Sequence, residues 1–195
     1  MYEVEVKVRA DHEGVASALD AADAEFVDSV VQEDTYYDAP HRNFAETDEA
    51  LRIRREWEPE AADSGTDGVA ETTKITYKGP LLEAESKSRE EHETTVADAE
   101  AVVGIFDGLG FEPAATVRKD RRYYRLDGYT VTLDRVDGLG EFVEVETETD
   151  DDDIEAAREG ARALLDDLGL DPDAQIRTSY LGLLLADDGD SDARE

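Results

Sequence analysis

Thiols are missing from this chain altogether, and lysine, methionine and tryptophan are scarce: no cysteine, five lysines, one methionine and one tryptophan in 195 residues. Without cysteine there is no disulfide, thiolate metal site or cysteine nucleophile. Long apolar runs are absent too. No stretch of about 18 apolar residues occurs, so no transmembrane helix is expected. Residues Met1 to Arg9 alternate in charge where a secretory signal would need an apolar stretch, so a cytoplasmic protein is expected. Positive charge is the scarcest commodity, with 20 Lys and Arg against 52 Asp and Glu, a net charge of -32. Such a chain repels nucleic acid and anionic membranes unless its cations are concentrated in one place. Neither is expected as a partner.

The acids are spread from end to end, which does not suit a local acidic tail. Strand and helix periodicity persists beside them, which argues against disorder. The composition, with arginine preferred to lysine, reads as a halophilic surface on which carboxylates keep the protein hydrated in molar salt. Most acidic residues are then solvent-facing, and the informative charges are those that break this pattern.

Residues Tyr2 to Arg9 alternate strictly, with Val4, Val6 and Val8 on one face, and period two predicts a strand. A helix is expected over His12–Asp23, strands over Glu25–Asp38 and around Leu51–Arg54, and strands over Thr73–Lys78 and Ser86–Val96. A helix over Asp98–Leu109 carries the stripe Val102, Val103, Phe106 and Leu109. Three closely spaced strands follow, Thr116–Leu126, Tyr129–Val136 and Phe142–Thr149, with Asp127-Gly128 as a hairpin turn and Gly138–Gly140 as another bend. A helix over Asp152–Leu168 buries Ile154, Ala157, Ala161, Leu164, Leu165 and Leu168. A short apolar helix is expected over Ser179–Leu185. About eight strands with few helical crossovers predict an α+β fold built on an eight-stranded antiparallel β-barrel with peripheral helices. The expected organisation is a single domain over 1–186, a mobile loop at 58–71 and a disordered acidic tail at 187–195.

The polar faces of these strands carry ordered charges: Glu3, Glu5 and Lys7; Arg52 and Arg54; Lys74, Thr76 and Lys78; Arg89, Glu91 and Glu93; Lys119 and Arg121; Thr132 and Asp134; Glu144, Glu146 and Glu148. On any one strand this pattern suits a solvated outer face. A cation-poor chain that repeats it on every strand suggests instead that the charges face inward. Buried charges of one sign would be prohibitive without partners. Cations and carboxylates together make a site for a polyanion and its divalent metals. Hard cations such as Mg²⁺ take carboxylate oxygens, and Glu3 and Glu5, two residues apart on a strand, have Cα atoms about 7 Å apart. Glu91 and Glu93 are expected to balance Arg89. Tyr36 and Tyr37 could stack on a base, although packing is the favoured role. His12, His41 and His92 match no metal spacing.

The segment Glu3-Val-Glu5-Val-Lys7 resembles the Glu-x-Glu-x-Lys signature of the CYTH superfamily, which holds class IV (CyaB-type) adenylyl cyclases and thiamine triphosphatases. The resemblance continues through Gln32 to Asp38, Leu51-Arg52-Ile53-Arg54, Thr76 to Pro80, Lys119-Asp120-Arg121, Leu133 to Val136 and Leu139 to Glu146, over about residues 1–185. It implies an eight-stranded tunnel fold with a triphosphate in the tunnel. It further implies metal-ligand roles (Mg²⁺ or Mn²⁺) for Glu3, Glu5, Asp134, Glu144 and Glu146. Phosphate-binding roles are implied for Lys7, Arg52, Arg54, Lys78, Arg89, Lys119 and Arg121, with Lys7, Arg54 and Lys78 acting in catalysis. The implied reaction is cyclisation of ATP to cyclic AMP and pyrophosphate. The His-Phe pair that precedes this strand in bacterial class IV cyclases is not found here. Hydrolysis of tripolyphosphate, thiamine triphosphate or a nucleoside triphosphate is the alternative, and a non-catalytic polyphosphate binder a second. A homodimer is compatible with all of these.

Overall fold

The alternation of β1 (Tyr2–Arg9) sets the pattern for the sheet: its valines are buried and its charged residues stand on the opposite face. The computed structural model describes residues 2–59, 71–80, 89–149 and 153–192. Most of the expected mobile loop (60–70), the first residues of the strand expected from Ser86, and the end of the expected tail (193–195) lie outside the described residues.

After β1 come α1 (His12–Ala21), β2 (Glu25–Asp38), α2 (Phe44–Thr47), β3 (Ala50–Trp57), β4 (Thr72–Lys78) and β5 (Glu91–Val96). Then follow α3 (Ala99–Gly108), β6 (Glu112–Leu126), β7 (Tyr129–Val136), β8 (Gly140–Thr149), α4 (Ile154–Asp167), a 3-10 turn (Pro172–Ala174) and α5 (Tyr180–Asp192). The eight strands hydrogen-bond in the order β1-β8-β7-β6-β2-β3-β4-β5, and the registered pairs are antiparallel. The α+β class with eight antiparallel strands and peripheral helices is as expected.

Several boundaries differ from expectation. Strand β6 begins at Glu112, before the expected Thr116; Pro113 reads as a breaker, yet proline is tolerated at the start of a strand. Helix α5 continues past Leu185 to Asp192, through Asp, Gly and Ser residues whose composition suggests a tail. The stripe expected on α3 is only half used. Val102 and Phe106 are half-buried, while Val103 and Leu109 are 44% and 63% exposed.

The chain forms two compact units, one from residues 1–29 and 119–195, the other from 30–118. In the first, Val6, Val8, Val131, Leu133, Val143 and Val145 line one face of the sheet. They pack with Val15 and Leu19 of α1 and with Ala161, Leu164, Leu165 and Leu168 at α4. Fully burying such a side chain contributes roughly 1.5–3 kcal/mol, so this face fixes which residues are left for the other. Asp11 caps α1 by accepting from the Glu13 and Gly14 backbone N–H groups. Glu141 of β8 accepts the His12 N–H at 2.9 Å. The β6–β7 hairpin turns on Asp127 and Gly128, both at positive φ (51° and 86°), as a two-residue type I′ turn requires.

In the second unit, β2 and β3 pair with Asp34 opposite Arg54 and Tyr36 opposite Arg52, and β3 and β4 pair with Arg52 opposite Thr76. Ile53 and Tyr37 are buried on the other face. The Tyr37 ring meets Phe106 of α3 edge-on at 5.0 Å, so packing is the role of this tyrosine.

Candidate functional site

Because side chains alternate along a strand, burying the valine face of the first unit places Glu3, Glu5, Lys7, Lys119, Arg121, Thr132, Asp134, Glu144 and Glu146 together on the opposite face. The register makes them neighbours. Lys7 lies across from Glu144 and Glu5 from Glu146, Thr132 lies across from Glu144, and Arg121 from Asp134. Lys7, Lys119, Arg121, Asp134 and Glu144 are all buried.

Their charges interlock. The Arg121 guanidinium donates to both oxygens of Asp134 and, at 2.5 Å, to Glu144 Oε2. Burial works against its charge, but Asp134 and then Glu144 more than offset this and hold its pKa well above the ordinary value. Lys119 Nζ stands 3.6 Å from Asp134. Lys7 Nζ stands 3.6 Å from Glu144 and 3.8 Å from Glu5. The buried Thr132 hydroxyl has no hydrogen-bond partner among the described residues, so this face holds a polar atom that a ligand or water could satisfy.

Glu3, Glu5 and Glu146 form a second element of the same face. Each offers a carboxylate oxygen, and the three lie within 4.8 Å of one another. Burial, opposed by Arg121, combines with the neighbouring Glu3, Glu144 and Glu5 carboxylates to push the Glu146 pKa up to about 8. Three hard oxygen donors so close together fit a hard divalent cation. Asp134 and Glu144, the other two carboxylates expected as metal ligands, are engaged here with the cations Arg121, Lys119 and Lys7.

In the second unit Arg52 and Arg54 converge on Asp34. Arg54 donates from Nε and Nη2 at 2.6 and 2.7 Å, and Arg52 from Nη1 at 3.2 Å. Burial opposes the Arg52 charge, yet Asp34, then Tyr36 and Glu91, hold its pKa above the ordinary value. Its Nε has no partner among the described residues. Lys78 pairs with Glu91 at 2.7 Å, Lys74 with Glu93 at 3.7 Å, and Thr76 donates to Glu93 at 2.9 Å. Arg89 instead holds the Asp48 carbonyl and carboxylate at 2.6 and 3.0 Å. Glu91 and Glu93 therefore balance the lysines of β4, not Arg89 as the sequence suggests. Arg89 itself precedes the strand, which begins at Glu91.

Two residues of these clusters carry no role in the sequence reading. Asp34 holds both arginines of β3, and Tyr180 donates its hydroxyl to Asp134 Oδ2 at 2.9 Å while Lys7 and Lys119 face its ring. Nothing in the sequence singles out Asp34 among so many acids, and nothing in the apolar run after Tyr180 signals a charged partner. Of the histidines, His12 is buried against the Phe142 carbonyl at 3.0 Å, and His41 and His92 are exposed.

Residues 1–180 match the CYTH domain. A Methanocaldococcus jannaschii protein whose name proposes an adenylate cyclase is 37% identical over 94% of this chain and 98% of its own length. The adenylate cyclase CyaB of Aeromonas hydrophila is 27% identical over 77% of this chain and 71% of its own length. The structure of protein PH1819 from Pyrococcus horikoshii superposes with a TM-score of 0.82 at 36% identity, covering 95% of this chain and 99% of that one. With its strand order, its Glu-x-Glu-x-Lys strand and its domain match in agreement, the chain belongs to the CYTH family.

Proposed function

We propose that this CYTH enzyme binds a nucleoside triphosphate at its charged sheet face and converts ATP to cyclic AMP and pyrophosphate. One observation carries the reading: three carboxylates able to meet at one cation stand on the same sheet face as the buried cations Lys7, Lys119 and Arg121. A polyanion with a divalent counter-ion needs both kinds of group side by side. The names of the Methanocaldococcus jannaschii and Aeromonas hydrophila relatives favour cyclisation.

Glu3, Glu5 and Glu146 would hold the Mg²⁺ or Mn²⁺, which when bound supplies charge neutralisation for phosphate oxygens. Lys7, Lys119 and Arg121 bind the phosphate chain in the first unit. Arg52, Arg54, Lys78 and Arg89 of the second unit are the remaining proposed phosphate-binding groups. Asp134 and Glu144 act as counter-ions that keep the cations of the first unit in place until phosphate oxygens replace them. In the reaction the ribose 3′-oxygen bonds to the α-phosphorus, the bond from that phosphorus to the bridging oxygen breaks, and pyrophosphate leaves with the electron pair. The hydroxyl proton is released. Negative charge grows on the departing pyrophosphate, and prepositioned cations stabilise that charge more than they stabilise the ground state. Lys7, Arg54 and Lys78 are the groups proposed to do so.

A second reading is supported by the residues themselves. Every charged group named above suits phosphate or metal, and none is selective for a base or ribose, so hydrolysis of the terminal phosphate would use the same set. Incubation with ATP and Mn²⁺ in molar KCl distinguishes the two. Cyclic AMP and pyrophosphate are the expected products. ADP or orthophosphate, with rapid cleavage of tripolyphosphate, would replace cyclisation by hydrolysis.

A further inference from the structure

We infer that Tyr180 is a positioning residue whose ring serves as an uncharged platform holding the Lys7 and Lys119 ammonium groups ready for the phosphate chain. The inference rests on the triphosphate reading above. Tyr180 opens α5 and is only 7% exposed. Lys7 Nζ lies 4.2 Å and Lys119 Nζ 5.2 Å from its ring centroid, both inside the ~6 Å range in which a ring quadrupole attracts a cation. Phe142 meets the same ring edge-on at 5.0 Å and fixes its tilt. The phenol donates to Asp134 Oδ2 at 2.9 Å, so one side chain touches three groups of the site.

The physical reason for an aromatic here lies in what the alternatives would do. Lys7 is 2% and Lys119 5% exposed, and a buried ammonium must be compensated. A carboxylate in close contact compensates it but also cancels the charge that attracts a polyanion. Of the described carboxylates, Glu144 and Glu5 stand 3.6 and 3.8 Å from Lys7 Nζ, and Asp134 stands 3.6 Å from Lys119 Nζ. A tight charge-assisted hydrogen bond would be about 2.7–2.9 Å long. The ring attracts both ammonium groups without neutralising them. The phenol bond adds a second effect, because Asp134 Oδ2 is shared among Tyr180, Arg121 and Lys119. Divided in this way, it grips none of the cations exclusively.

Calorimetric binding of inorganic tripolyphosphate to the full chain in molar KCl with Mg²⁺ tests this. Tyr180→Phe keeps the ring and should bind within about 3-fold of the parent, whereas Tyr180→Leu should bind at least ~10-fold more weakly. Phenylalanine analogues with one, two and three ring fluorines at this position keep the shape while draining the ring quadrupole. Affinity should fall stepwise along that series, by roughly 2-fold or more per fluorine, with the thermal midpoint unchanged. Equal affinity across the fluorinated series, or a thermal midpoint falling in step with affinity, would reduce the ring to packing and overturn the inference. So would a Phe variant as weak as the Leu variant. Failure of the parent protein to bind tripolyphosphate would instead overturn the triphosphate reading, and this inference with it.

Discussion

At Asp34 one carboxylate receives two guanidinium groups, a bidentate pair with Arg54 and a longer contact from Arg52. Both oxygens are occupied and the residue is buried. Replacing it by Asn keeps the shape but leaves the buried Arg54 and the half-buried Arg52 short of their counter-charge. Breaking a buried pair from one side costs about 3–5 kcal/mol. We expect Asp34→Asn to lower the urea midpoint correspondingly in molar KCl, and a midpoint equal to the parent's would show that the arginines are compensated elsewhere. The arginines themselves were legible in the sequence, because cations are rare here and recur at alternate strand positions. Asp34 and Tyr180 were not. An acid in a chain with 52 of them draws no notice, and Tyr180 gains its meaning from Asp134, 46 residues away. Alternation reports which face a side chain takes, and only register reports which partner it meets.

Periodicity served the elements of the first unit well, where apolar and polar residues alternate strictly in β1 and through the middle of β7 and β8. It failed where composition misleads, at the Pro113 start of β6 and the Asp-rich end of α5. It also could not show how closely elements approach. Tyr129 of β7 donates to the Ala157 carbonyl of α4 at 3.1 Å, and a Cβ added at Gly160 would overlap the Tyr129 hydroxyl. Gly160→Ala should therefore destabilise the protein, despite alanine's better helix propensity, by about 1–3 kcal/mol as an overpacking change. A raised thermal midpoint would mean that propensity wins and the contact yields. The start of α1 carries a pH signature. The His12 backbone N–H, and then Arg135, hold the Glu141 carboxyl below its ordinary value of 4.5. A depressed folded value adds stability that is full above the unfolded value and lost as pH falls through the folded one. The stability gap between the parent and Glu141→Gln should thus be widest near neutrality and close as pH drops below about 4.5. A gap independent of pH would exclude a charged role for this cap.

For the molecule as a whole, a net charge of -32 dominates behaviour in dilute buffer. At ~1 M salt the Debye length is about 3 Å, so surface carboxylates cease to repel one another. The thermal midpoint is expected to rise from low salt to molar KCl, and a flat profile would detach the acidic composition from salt adaptation. The buried ion pairs around Arg121 and Arg54 are screened far less, so the charged faces keep their layout through such a titration.

The pairing of β1 with β8 also dictates an order of assembly. Lys7 lies opposite Glu144, and the Lys7 carbonyl accepts the Ile176 N–H at 2.7 Å. The first strand made is thus completed by segments made near the end. The second unit is contiguous, spanning 30–118, and its β2–β3, β3–β4 and β4–β5 pairs join near neighbours in the chain. Contacts of such long sequence separation slow folding. On a ribosome, domains tend to form as their residues emerge. Glu3 and Glu5 must therefore wait, exposed and unpaired with β8, until Glu146 has been synthesised before the three carboxylates can meet around a cation.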